Sequence, residues 1–147
     1  MKIAVGSDPN AVELKKSICN ILTDHEVVDF GSDDPLYANV AVDVAKTVAS
    51  GKFDRGILLC GTGLGVSLAA NKVKGAYATP CTNVYSAERS ILSNNANILT
   101  IGSLVTGSEL AKKIVKTWIS CIYESGGRSE TKVQCIRDHE KTLMSQG

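Results

Sequence analysis

The sequence predicts an α/β fold built on a doubly wound sheet of five parallel strands. Two observations predict it. Short apolar runs that read as strands alternate, along the whole chain, with segments whose apolar residues recur at helical spacing. No internal repeat, linker or low-complexity segment interrupts that alternation, so the 147 residues read as one domain, 1–147, long enough to bury a core. Crossovers in such a sheet are right-handed.

Lys2–Ser7 is the first strand. Asn10–Leu22 follows as a helix, with Ala11, Leu14, Ile18, Ile21 and Leu22 at helical spacing. Glu26–Phe30 is the second strand, closed by Gly31, and Ser32-Asp33-Asp34-Pro35 is a turn. Tyr37–Ala49 is helical, with Val40, Val44 and Val48 on one face. Arg55–Cys60 is the third strand, and Leu64–Asn71 the helix after it. Gly75–Pro80 is the fourth strand, Ser86–Ser93 a helix, and Asn97–Ile101 the fifth strand, closed by Gly102. Ser108–Tyr123 is a long helix. Ser125-Gly126-Gly127 breaks it, and Thr131–Met144 reads as a last helix. Sites in open parallel sheets lie beyond the carboxyl ends of the strands. Here those ends are Ser7-Asp8, Gly31-Ser32, Cys60-Gly61, Cys81-Thr82 and Gly102-Ser103.

Composition narrows the function. Hydrophobic residues make up 44% and charged residues 21%, with a net charge of +1. The charges are mixed along the chain, which argues against nucleic acid and membrane surfaces as partners. No apolar run approaches the ~18–20 residues of a membrane span. Met1-Lys2-Ile3-Ala4-Val5 enters a strand directly, with no signal peptide in front. The five cysteines are widely spaced and form no CxxC pair, so a disulfide framework or zinc site is not expected and a reducing cytoplasm is.

The chemistry concentrates in Ile57-Leu58-Leu59-Cys60-Gly61-Thr62-Gly63-Leu64-Gly65. A strand delivers a thiol to its carboxyl edge, and glycines open a backbone pocket beside it. Amides there would favour thiolate formation and could hold an oxyanion. Those are the two parts needed to take a proton from carbon. A free cysteine also packs as a small hydrophobe, the reading given to Cys19, Cys81, Cys121 and Cys135. The GxGxG spacing is neither GxGxxG nor a Walker loop, which weakens a nucleotide reading. Thr62 could bond a substrate hydroxyl. Asp8 suits both a helix N-cap and a sugar hydroxyl. Arg128 and Lys132, four apart after Gly126-Gly127, would share a helix face and could clamp a phosphate. Ser93-Asn94-Asn95-Ala96-Asn97 reads as a helix stop.

Taken together, Ile3-Ala4-Val5-Gly6-Ser7-Asp8, Cys60-Gly61-Thr62-Gly63-Leu64-Gly65, Ala69-Ala70-Asn71-Lys72, Tyr85-Ser86-Ala87-Glu88 and Gly126-Gly127-Arg128 resemble the ribose-5-phosphate isomerase B family, which includes the galactose-6-phosphate isomerase subunits. The resemblance spans essentially the whole chain. It implies a Rossmann-type three-layer α/β/α fold and a cofactor-free, metal-independent aldose–ketose isomerase of a phosphorylated sugar. It implies a homodimer or tetramer whose sites are shared between subunits, with a C-terminal segment from about 126 to 147 reaching the partner. By position, Cys60 matches the base that moves a proton between C1 and C2. Gly61, Thr62, Gly63 and Gly65 match the enediolate loop. Asp8 matches the residue facing the sugar hydroxyls, Arg128 a phosphate-binding arginine, and Asn94 the neighbour of a ring-opening histidine.

The departures carry information too. That histidine is replaced by Ser93, which stays among the substrate-binding candidates with Asn94, Arg128 and Lys132. A histidine after the first-strand aspartate is replaced by Pro9, and a phosphate-binding arginine by Leu104. A second arginine of the glycine-arginine segment appears as Lys132, and the loop at Ser32–Leu36 is shortened. A tetrose 4-phosphate cannot close a furanose ring, because its O4 carries the phosphate, so its isomerase needs no ring-opening group. The stretch Ser86-Ala87-Glu88-Arg89…Leu92-Ser93-Asn94-Asn95-Ala96 also resembles the family branch acting on D-erythrulose 4-phosphate. The alternatives are a ribose 5-phosphate isomerase and one subunit of a heteromeric hexose-6-phosphate isomerase.

Overall fold

The computed structural model describes residues 1–145; Gln146 and Gly147, the end of the 126–147 segment, lie outside the described residues. Five strands form one parallel sheet in the order β2-β1-β3-β5-β4: β1 Lys2–Ser7, β2 Glu26–Asp29, β3 Arg55–Cys60, β4 Ala78–Pro80 and β5 Ile98–Gly102. The helices are α1 Val12–Ile21, α2 Tyr37–Ala49, α3 Leu64–Ala70, α4 Val84–Leu92, α5 Ser108–Ser120 and α6 Glu130–Met144. None is long and apolar enough to cross a membrane among the described residues.

A right-handed crossover places its helix on one face when the chain moves one way across the sheet, and on the other face when it moves back. The chain steps outward from β1 to β2 and returns to β3, then reaches β4 and comes back to β5. Accordingly α2 and α3 pack together on one face, and α1, α4 and α5 on the other. Each strand feeds both cores by alternation. Ile3, Val5, Ile57, Leu59, Leu99 and Ile101 enter the α1/α4/α5 core, where Trp118 is fully buried. Ala4, Leu58, Cys60 and Ile98 enter the α2/α3 core.

Several boundaries differ from the pattern in the sequence, and side chains explain them. Asp8 caps a 3-10 turn at Pro9–Ala11, which delays α1 to Val12. The stretch 75–77 makes no strand pairing. Glu140 accepts from Gly75 N–H, Asn97 Oδ1 accepts from Tyr77 N–H, and Asn97 Nδ2 donates to Gly75 O, so β4 begins at Ala78. On the open side of β4, the Asn71 amide accepts from Ala78 N–H at 2.8 Å and donates to Ala78 O at 2.9 Å, pairing the edge that another chain would otherwise meet. At the end of α5, Arg55 donates to the carbonyls of Trp118 and Cys121 and lies over the Trp118 ring. Cys121 is extended, so the helix stops at Ser120 rather than Tyr123. Within this single chain α6 lies along its own β4 edge, through buried Val133, Arg137 over the Tyr77 ring, and Glu140.

Candidate active site

The end of β3 is deep in the sheet, between β1 and β5, and Cys60 is its last residue. Cys60 is 4% exposed. Its Sγ accepts the Gly63 N–H at 3.2 Å. Gly63 has φ of +78°, and a Cβ there would lie 2.9 Å from the Ile101 carbonyl carbon, so only glycine turns the loop back onto the sulfur. Thr100 Oγ1 then donates to Gly63 O at 2.7 Å, and the Ser103 and Leu104 N–H groups donate to Cys60 O and Gly61 O at 2.9 Å each. The thiol loop is therefore fixed from β5, before any substrate arrives.

The other loop positions divide. Thr62 is exposed, and its Oγ1 accepts the Leu64 N–H at 3.2 Å, leaving the hydroxyl proton to donate. Gly61 packs under the Leu104 side chain. Gly65 lies inside α3, where the space of a side chain is taken by the Tyr37 ring. Its missing Cβ serves the contact between α2 and α3, which nothing in the glycine spacing announces.

Asp8 arrives from the neighbouring strand. Ser7 is opposite Leu59, so Asp8 emerges beside Cys60, and its N–H donates to Leu59 O at 3.3 Å. Asp8 is 4% exposed, and its carboxylate accepts the Asn10 N–H at 3.0 Å and the Asn10 side-chain amide at 3.3 Å. The cap reading of Asp8 is thus present in the structure. Two cavities flank this edge. One, of about 480 Å³, lies between Pro9–Asn10, the start of α1 and Ser103–Ser108. The other, of about 200 Å³, lies among Ser7, Gly31 and Asp33–Asp34. Leu64, Leu68 and Leu104 stand exposed on α3 and on the turn after β5.

The remaining candidates are at the other end of the sheet. Helices in this topology return antiparallel to the strands, so α4 and α5 finish at the amino edge. Ser93 and Asn94 follow α4 there, immediately before β5. The Arg55 side chain, at the first residue of β3, ties the end of α5 to the same edge, and Arg128 follows in the turn Gly126–Ser129. Arg128 precedes α6, so it does not share a helix face with Lys132, which is in the first turn of that helix. The five rises along the six residues of β3, at about 3.3 Å each, separate the two edges by roughly 17 Å. One chain cannot bring Arg128 to its own Cys60. Arg89, which the sequence does not single out, stands at this edge as well. Its Nε and Nη2 both donate to Ser93 Oγ, at 2.8 and 2.5 Å. The four-residue spacing puts Arg89 one helical turn before Ser93.

Known proteins resemble this chain along most of its length. The family model described as Ribose/Galactose Isomerase matches residues 3–136. A Pectobacterium atrosepticum protein named D-erythrulose-4-phosphate isomerase is 42% identical over 146 residues, covering 95% of each chain. A Listeria innocua protein named Ribose-5-P isomerase B is 43% identical over 143 residues, covering 94% of this chain and 96% of its own. The solved structure of Clostridium thermocellum ribose-5-phosphate isomerase B superposes with a TM-score of 0.91 at 45% identity, over 97% of this chain and 99% of its own.

Proposed function

Because the chain belongs to the ribose/galactose isomerase family, and is on that ground a sugar-phosphate isomerase, we propose that it interconverts D-erythrulose 4-phosphate and D-erythrose 4-phosphate with Cys60 as the base. The observation that carries the chemistry is the buried Cys60 Sγ at the centre of the sheet edge, held by Gly63 N–H in a loop already fixed from β5. The open-chain substrate lies across the ends of β1 and β3. The sulfur removes the proton from the carbon next to the carbonyl, and amides of the Gly61–Gly65 loop hold the enediolate as charge develops. Thr62 and Asp8 move protons among the substrate oxygens. The thiol then returns its proton to the neighbouring carbon. No metal and no cofactor takes part in this scheme.

The substrate argument rests on Ser93. A serine bonded to an arginine cannot do the acid–base work of an imidazole, and a tetrose 4-phosphate does not ask for it. The phosphate end belongs to a second chain. Arg128 and Lys132, with Ser93 and Asn94, reach the Cys60 edge of a partner in a dimer or a dimer of dimers, the segment from about residue 126 contributing to the contact. Exposed Leu64, Leu68 and Leu104 around the thiol loop are the apolar surface such a partner would cover. Five free cysteines fit a reducing cytoplasm.

Proton NMR in D2O tests the reaction. With D-erythrose 4-phosphate the expected result is ketose formation, with deuterium entering the carbon next to the carbonyl. Cys60→Ala should slow this by about 10²–10⁴-fold while keeping the fold. Wild-type turnover in that variant overturns the role of Cys60. A second tube holds ribose 5-phosphate, the second reading, which the near-equal identity to the Listeria innocua protein favours. Exchange there alone removes the tetrose assignment.

A further inference from the structure

We propose that Arg89 is an anion-binding residue, joining Arg128 in a two-guanidinium site for the phosphate of the substrate. The inference rests on the isomerase reading only for the identity of that phosphate. Its physical basis is a cavity of about 300 Å³ at the amino edge of the sheet. Arg89, from the last turn of α4, and Arg128, from the turn before α6, both line it. Gly127 and Ser129 line it as well, and so does Glu124. Among the described residues neither guanidinium has a carboxylate within ion-pair distance, Glu124 included.

The partner Arg89 does have is neutral. Two of its N–H groups converge on the single oxygen of Ser93. That arrangement holds the guanidinium still without neutralising it. It also occupies both lone pairs of the hydroxyl, so the Ser93 proton can only be donated onward. The cavity wall thus carries two positive groups, one of them half-buried and locked in orientation by Ser93. A half-buried cation without a counter-charge is costly, and a ligand that supplies one is favoured. The planar fork of arginine matches an anion with several acceptor oxygens, and two forks match a dianion. A phosphate monoester has that charge and shape. With Glu124 in the lining, the two guanidinium groups still leave the site net positive.

Titration with inorganic phosphate at fixed ionic strength, by calorimetry on the intact protein, reads the site without catalysis. Arg89→Met should weaken phosphate at least tenfold and raise KM for the sugar phosphate at least tenfold, with a smaller effect on kcat. Arg89→Lys keeps the charge and loses the fork, and should fall between the two. An affinity for Arg89→Met within twofold of wild type, in a variant with an unchanged circular dichroism spectrum, overturns the proposal. If Arg89→Met does not fold, the arginine Nε–H signals of the wild-type protein decide, with Arg89→Lys identifying the Arg89 signal. A shift of that signal on adding phosphate supports the site, and an unmoved signal refutes it. Phosphate binding that depends on Arg89, without turnover of any sugar phosphate, would remove the isomerase reading and leave this site standing. Turnover with no such dependence would do the reverse.

Discussion

Gly102 ends β5 under the backbone of Thr62: a Cβ there would lie 2.4–2.6 Å from the Thr62 carbonyl carbon, oxygen and Cα. These are main-chain atoms of the thiol loop and cannot swing aside. Gly102→Ala should therefore lift the loop off β5, weakening the Gly63 N–H bond to Cys60. The expected cost is about 1–3 kcal/mol in urea unfolding. The rate should fall even where the variant is fully folded, because the donor to the sulfur moves. Equal stability and equal rate would show that the loop does not need this close crossing. Cys60 itself was legible in the sequence, as the last residue of an apolar run followed by alternating glycines. The same glycines read alike there, yet they serve different ends: Gly63 bonds the sulfur, and Gly65 makes room for Tyr37. Spacing carries no record of which neighbour fills the space.

At the scale of the element, the end of α5 is set by a residue on another element. Arg55 donates to Trp118 O and Cys121 O and stacks over the Trp118 ring, so one cation closes the helix and holds it to the sheet. Burial pulls its guanidinium below the usual value, and the Cys121 and Asp54 side chains oppose that shift. Arg55→Met keeps the stem and removes both bonds. A loss of about 1.5–3 kcal/mol is expected from chemical denaturation, since the bonds are made by a charged donor. A change under about 0.5 kcal/mol would mean that water replaces them. The strand and helix order was readable from periodicity, because each element buries a stripe or an alternate face. The truncated start of β4 and the early stop of α5 were not, because their backbone groups are taken by Asn97, Glu140 and Arg55 from elsewhere in the fold.

At the scale of the whole molecule, the candidate site is split between the two edges of one sheet. Cys60, Asp8 and the glycine loop are at the carboxyl edge, and Ser93, Asn94, Arg128 and Lys132 belong to the amino edge and the start of α6. If two chains complete each site, mixing separately inactive Cys60→Ala and Arg128→Ala proteins under exchange conditions should restore roughly a quarter of the wild-type rate, because mixed dimers regain one intact site. A mixture that stays as inactive as its parts would leave Arg128 out of the site that holds Cys60. By itself the sequence determined the α/β class, the strand and helix order, and the thiol with its glycine loop. Each of these is written in local spacing, and burial enforces local spacing. Only the tertiary structure decided that the cationic residues stand a strand length away from the thiol, and that Arg89 locks onto Ser93 beside Arg128. Distances across a sheet are set by the order and direction in which strands pack, and that order leaves no pattern along the chain.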